Sequence, residues 1–140
     1  MEIQVKIKNL NKVRAALAKS PQVVSKHINK AINKSILDIR NEAMTTTPVD
    51  KGRLRGSYGM KFGNLRGEVG PTANYAIYVH EGHRQTPGRY VAEIGKRLVK
   101  SFVPGNPFLQ KAVNQAERKV NQNFNEGLRD SLNELAYLAR

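Results

Sequence analysis

No cysteine occurs anywhere in this chain. That single absence removes disulfide frameworks, thiolate metal sites and cysteine nucleophiles together. Aromatic residues are sparse, at 6%, and no basic and aromatic sequence of the RNP type occurs, so base-stacking platforms for RNA are not indicated. No uninterrupted apolar stretch approaches the roughly 18 residues of a membrane span. The opening "MEIQVKIKNL" alternates charge with β-branched residues instead of presenting an apolar signal core, and a soluble product without a cleaved signal is expected. Acids are few as well, 11 against 24 Lys and Arg, for a net charge of +13.

Such a balance raises nucleic acid, anionic surfaces or an acidic protein as partners, and excludes nothing by itself. The excess is spread along the chain. Residues 1–70 carry 14 bases and 5 acids, residues 71–140 carry 10 and 6, and no run of five like charges occurs. With 140 residues, the expectation is one domain large enough to bury a core without staples.

Ile3, Val5 and Ile7 alternate with Gln4, Lys6 and Lys8, the period of a half-buried strand over residues 1–8. The region 9–46 is expected to be helical in two pieces. A short helix through "NKVRAALAKS" precedes a second one that Ser20 caps and Pro21 begins, because proline lacks the amide hydrogen that would be unpaired there. Pro48 and the run Thr45 to Thr47 end it. Val24, Ile28, Ala31, Ile32, Ile36, Ile39 and Ala43 fall within an arc of roughly 140° and form its core face. Lys26, Lys30 and Lys34 stand opposite, a row suited either to solvent or to a nucleic acid or acidic subunit. Leu37 and Val23 lie on that polar side too.

From 56 to 81 the period changes to that of a β-meander. "SYGMKF" and "LRGEV" flank Gly63-Asn64, a two-residue turn with glycine at its first position. "NYAIYVH" is expected as a third strand with Tyr75, Ile77 and Val79 on one face. Residues 82–105 form a basic arm or hairpin about Gly95-Lys96, with Arg84, Arg89, Lys96, Arg97 and Lys100 against Glu93 alone. Asn106 and Pro107 repeat the cap-plus-proline signal and open a C-terminal helix over 106–138. Its stripe is Leu109, Val113, Ala116, Val120, Phe124, Leu128, Leu135 and Leu138, weakened at Gly127. Such a helix is longer than a small sheet needs, so its last turns are expected to pack on another chain. The fold class is α+β: an N-terminal strand and long helix, an antiparallel meander of three to four strands, and a long C-terminal helix on one face of the sheet.

No catalytic arrangement emerges. "HEGH" at 80–83 places its histidines three apart, whereas the zinc-protease signature needs them four apart on one helix face. "RGSYG" around Ser57 has Arg55 where a nucleophile elbow needs its first glycine. Glycines 52, 56, 59, 63, 67 and 70 form neither a P-loop nor a dinucleotide fingerprint. No catalytic residue, metal ligand or cofactor site is assigned, and no enzyme activity is expected.

"TPVDKGRLRGSY", then a hairpin, then "VGPTANYAIYVHEG", then "NPFLQKAV", taken in this order, resemble the gene-product-ten-like tail-component family of tailed bacteriophages and prophages. The resemblance runs over roughly residues 20 to 120. It implies a small α+β virion protein of the tail or neck, without enzymatic activity, assembled as a homo-oligomeric ring beside head-completion and tail-tube proteins. It also implies localisation in the virion and, during assembly, in the bacterial host cytoplasm. The family's turn corresponds to Thr47, Pro48, Val49, Asp50, Gly52, Arg53, Leu54 and Arg55, its strand to Tyr75, Ala76, Tyr78, Val79 and Gly82, and its helix start to Pro107, Phe108 and Leu109.

The candidate interaction residues are Asp50, Arg53 and Arg55 in the turn, and Arg84, Arg89, Lys96, Arg97 and Lys100 in the arm. In the turn, Gly52 supplies the reversal and Leu54 points to the core while Arg53 and Arg55 point away. A second reading, from another class, is a basic module that contacts DNA backbone without sequence specificity. No membrane partner is expected.

Overall fold

The computed structural model describes residues 10–49 and 52–140. The strand expected over 1–8, and Asp50 and Lys51 of the turn, lie outside the described residues. In order, the elements are α1 (Leu10–Thr46), a single 3-10 turn (Arg55–Ser57), β1 (Tyr58–Gly63), β2 (Arg66–Pro71), α2 (Ala76–Glu81), β3 (Gly82–Arg84), β4 (Tyr90–Val91), β5 (Lys96–Arg97), β6 (Phe102–Pro104) and α3 (Phe108–Leu138). The class is α+β, with α1 first and α3 last among the described elements. Among the described residues the strands form three two-stranded sheets, β1 with β2, β3 with β6 and β4 with β5, in place of one meander.

Two compact units share these elements. One holds the described residues up to Asp38, Lys61–Glu68 and Glu117–Arg140, and the other holds Ile39–Met60 and Val69–Ala116. Both long helices contribute to each.

In the first unit α1 and α3 run antiparallel. Lys26 Nζ meets Glu134 Oε1 at 2.7 Å and Lys34 Nζ meets Glu126 Oε2 at 3.5 Å, so an eight-residue step up one helix matches the same step down the other. Two of the three lysines of the row are therefore paired within the chain. The seam between the helices is made of small residues. A Cβ added at Gly127 would lie 3.1 Å from the His27 carbonyl oxygen and 3.2 Å from Ala31 Cβ. Glycine there is a point of close approach, not a weakness. Ser35, Asn123 and Ser131 are buried, and Asn123 Nδ2 donates to Asp38 Oδ2 at 2.8 Å and to Ser35 Oγ at 3.2 Å. The expected stripe of α3 is thus rotated. The buried line is Ala112, Ala116, Asn123, Gly127 and Ser131, while Val113 and Leu128 are about half exposed. In the last turns of α3, Glu134 pairs with Lys26 of this chain's own α1, while Leu132 and Tyr137 are exposed. On α1, Ala31, Ile36 and Ala43 are buried as expected, but so is Val23.

α1 is one helix, not two, and Pro21 lies inside it. Proline cannot donate to the carbonyl four residues back, here Leu17. Ser20 Oγ donates to that carbonyl at 2.7 Å, replacing the missing bond and letting the helix continue. The β1–β2 turn differs as well. Its residues are Asn64 and Leu65, and Leu65, not Gly63, has the positive φ of 54°. Asn29 of α1 clamps this turn, its Oδ1 accepting from the Leu65 amide and its Nδ2 donating to Asn64 Oδ1. Those bonds offset the left-handed backbone, which costs a non-glycine residue about 1 kcal/mol.

The second unit is built on Phe108, which is fully buried with Leu54 and Ala76, and Tyr58, Tyr75, Val79 and Leu109 pack around them. α1 ends in threonines, not glycine. Thr45 Oγ1 donates to the Glu42 carbonyl, and Thr46 and Thr47 Oγ1 both reach the Ala43 carbonyl, which also accepts from the Thr47 amide at 2.9 Å, so hydroxyls supplement the last backbone bonds of the helix. The Tyr58 hydroxyl lies 2.6 Å from Thr47 Oγ1, fastening β1 to the end of α1, and burial pushes the phenol above its usual pKa. The segment expected as a third strand is helix α2. Ala76, Val79 and His80 share a face on the core side at helical spacing, and the Tyr78 and Val79 amides both donate to the Tyr75 carbonyl. Contact with Phe108 has outweighed the β-propensity of Tyr, Ile and Val. Gly82 stops this helix at φ 88°, its amide donating to the Tyr78 carbonyl. At the other junction Asn106 does not cap α3 as expected. Its Oδ1 accepts from Lys111 Nζ at 2.8 Å.

Two outcomes follow. Phe108→Ala should lower the unfolding free energy by about 3–5 kcal/mol in urea titration, since the ring is fully buried and its removal leaves a cavity among the side chains packed on it. The hydrogen bonds from Lys26, and next from His27, hold the Glu134 carboxyl below its ordinary 4.5. A depressed carboxylate contributes stability that is complete above the ordinary value and is lost as pH falls through the lower folded one. Melting temperatures measured downward from about pH 6 to pH 3 should therefore fall less steeply in Glu134→Gln than in the parent.

Candidate interaction surface

The turn after α1 reverses at Gly52, whose φ is 72°, and the Gly56 amide closes it by donating to the Gly52 carbonyl at 2.9 Å. The reversal drives Leu54 inward to 4% exposure. Its neighbours then fall on different sides. Arg53 is exposed and lies over the Tyr75 ring, 5.5 Å from the centroid, a cation–π contact. Arg55 is half-buried, and its Nε is sealed from solvent with no hydrogen-bond partner among the described residues. A buried guanidinium nitrogen left unsatisfied costs about 1–3 kcal/mol.

Beside this turn is an open groove of about 620 Å³. Tyr75, Tyr78, Val79, Val103 and Pro104 make its apolar walls, and His83, Arg84 and Asn106 stand among them. α2 supplies Tyr78 and Val79 one turn beyond Tyr75, so that all three share a face. The β3–β6 pair supplies the opposite wall in the register Gly82 with Pro104, His83 with Val103 and Arg84 with Phe102. Two glycines set this root. Cβ atoms at Gly82 or Gly105 would run into the backbone of the facing residues, Val103 and Gly105 for the first, His80, Glu81 and Gly82 for the second. The chain therefore crosses itself here backbone to backbone.

Beyond the root the arm is a hairpin. The Gln85 amide donates to Ser101, Gly88 to Leu98 and Leu98 to Arg89, and Tyr90 pairs with Arg97 and Val91 with Lys96. Its turn ends at Gly95, φ 63°. Arg84, Arg89, Lys96, Arg97 and Lys100 are all exposed. Arg97 is occupied locally, donating to the Gly88 carbonyl at 2.9 Å and lying over the Tyr90 ring. Among the described residues Arg84, Arg89, Lys96 and Lys100 meet no acid.

Of the candidate residues, the structure gathers Arg53 and Arg84 at one groove, through Tyr75, and spreads the remaining arm bases along the hairpin. Asp50 lies outside the described residues. The groove is not visible from the sequence, because a strand over "NYAIYVH" places Tyr78 on the face opposite Tyr75 and Val79. Their i, i+3, i+4 spacing is the signal that could have found it. The histidines of "HEGH" part company. His80 packs T-shaped on Phe108, 5.2 Å between centroids, with Nε2 buried and without a partner among the described residues, while His83 is exposed on β3. Among the described residues no group of three His, Asp or Glu side chains is placed to hold a metal ion, and no helix is long and apolar enough to cross a membrane.

Residues 11–82, just over half of the chain, match the family described as "Bacteriophage HK97-gp10, putative tail-component". The match takes in α1, the turn, the β1–β2 hairpin and α2, and stops at the first residue of the arm. No curated protein and no solved structure matches the chain.

The orphaned nitrogen of Arg55 sets a test. Arg55→Met keeps the aliphatic volume and removes the unpaired atom, so the isolated protein should unfold at the same or higher urea concentration than the parent. A clear loss of stability would mean that the guanidinium is serving the fold.

Proposed function

The chain belongs to the bacteriophage HK97-gp10 tail-component family, and on that premise we propose that it is a non-enzymatic structural subunit of the tail or neck. It assembles as a homo-oligomer, a ring, and docks to adjacent head-completion and tail-tube proteins. It acts in the virion after assembly in the bacterial host cytoplasm. The observation that carries the reading is the distribution of apolar residues. Among the described residues the buried apolar set is mostly alanine, Ala16, Ala31, Ala43, Ala76, Ala112 and Ala116, with Phe108 the one large side chain fully enclosed. Large side chains lie outside instead: Val99 is 86% exposed, Tyr137 69%, Leu132 67% and Leu17 63%. A chain that buries little and exposes much gains stability by covering that surface with other subunits.

A second reading rests on the exposed bases of the arm. Arg84, Arg89, Lys96 and Lys100 without acids beside them suit a phosphate backbone, as DNA passing through a neck would present. Such contact predicts DNA affinity that falls log-linearly with salt, and binding that vanishes by physiological salt would reduce it to a by-product of charge.

The principal reading is tested by sedimentation velocity across a concentration series, alone and with purified tail-tube and head-completion proteins. Discrete oligomers, or stable complexes with those partners, are expected. A protein that stays monomeric at high concentration and binds none of them overturns it.

A further inference from the structure

The arm carries bases along its shaft and one acid at its tip. Glu93 is the only carboxylate between Gly82 and Ala116. It sits in the turn joining β4 to β5, exposed, next to Ile94, which is 59% exposed. Glu93 has no ion pair or hydrogen bond among the described residues. At the root of the same arm, the groove offers the opposite. Its walls are apolar, Tyr78 and Val103 among them, and Arg84 lines it without an acid. The tip cannot serve its own groove. β3 is bonded to β6 and β4 to β5, with the Gln85, Gly88 and Leu98 amides bonded between them, so the hairpin is held along its length with tip and root apart.

We propose that the arm tip of one copy, Glu93 and Ile94, seats in the groove of a second copy, with Ile94 against Tyr78 and Val103 and Glu93 paired with Arg84. This rests on the oligomeric reading above and specifies its contact. A second copy is the occupant because the chain itself supplies both halves: an unpaired acid beside an exposed aliphatic side chain, and an unpaired base in an apolar groove. The contact is head-to-tail. Each copy offers one tip and one groove, which generates a ring where the rotation closes. Of the two turn arginines, it also uses Arg53, which holds the Tyr75 wall.

The test uses full-length protein and light scattering behind gel filtration. Glu93→Arg and Arg84→Glu are both exposed changes that leave the core untouched, and circular dichroism melts confirm that each variant is folded. Each alone should weaken self-association on the order of tenfold or more. The double variant, with the charges exchanged, should recover assembly. A mixture of Ile94→Asp with Arg84→Glu should yield one-to-one pairs and nothing larger, since only one good tip and one good groove remain between them. Single variants that assemble like the parent overturn the contact while leaving the oligomer standing. A parent that never self-associates overturns the oligomeric reading, and the contact with it. An acidic peptide or duplex DNA whose binding is lost in Arg84→Glu, with assembly intact, assigns the groove to that ligand and overturns the proposal.

Discussion

The second unit depends on the burial of one phenylalanine. Phe108 stands at the start of α3, enclosed by Leu54 from the turn and Ala76 from α2, with the His80 ring packed T-shaped against it. Its carbonyl accepts from Thr46 Oγ1 at 2.9 Å, so its backbone ties α3 to the end of α1 while its ring ties both to the turn and the short helix. Four chain segments that share no sheet and little regular hydrogen bonding thereby acquire a common reference. The groove inherits its shape from this point. Tyr75 and Val79 pack toward the core on one side and line the groove on the other.

The first unit is held on different principles. Where α1 and α3 meet, small side chains let the helices approach until Gly127 lies under the His27 carbonyl. Little apolar area is buried by such a seam, and hydrogen bonds and ion pairs supplement it. Asn123 bridges to Asp38 and Ser35, and glutamates answer Lys26 and Lys34 at matching steps. These exposed pairs contribute modestly in energy but favour the antiparallel register, because a slide of one turn in either direction leaves only one of the two lysines opposite an acid, Asp130. They also change the meaning of the net charge. Part of the basic row on α1 is committed inside the chain, and among the described residues the arm is one place where several bases stand near one another without acids.

What the sequence made legible was set by local patterns, and what it hid was set by tertiary contacts. The long helices, their ends at Thr46 and near Pro107, the burial of Leu54 and the β1–β2 hairpin followed from periodicity and turn chemistry. Pro21 misled because the residue before it, Ser20, could be either a cap or a replacement hydrogen-bond donor, and only the continuing helix decides. "NYAIYVH" misled because a six-residue element carries too few periods to separate strand from helix once Phe108 offers it a surface. Gly63 misled because Asn29, thirty-five residues before Asn64, stabilises a positive φ at a leucine. The largest residues of α3 suggest one stripe, whereas a close helix pair buries its smallest. The groove could not be seen at all until Tyr78 moved to the face of Tyr75.

The root of the arm bears on how a head-to-tail contact could close. In a ring built from one repeated interface, any angular error in one subunit recurs in all of them, so closure depends on the direction of each projecting element. Gly82 and Gly105 cross without room for a Cβ on either, and that close passage fixes where the hairpin leaves the unit more firmly than side-chain packing would. The tip needs no such rigidity. A short turn bearing one acid and one aliphatic side chain can adjust to a groove by small rotations, provided its base is aimed. The opposite arrangement, a loose root and a rigid tip, would permit the same contacts in open chains as readily as in closed ones.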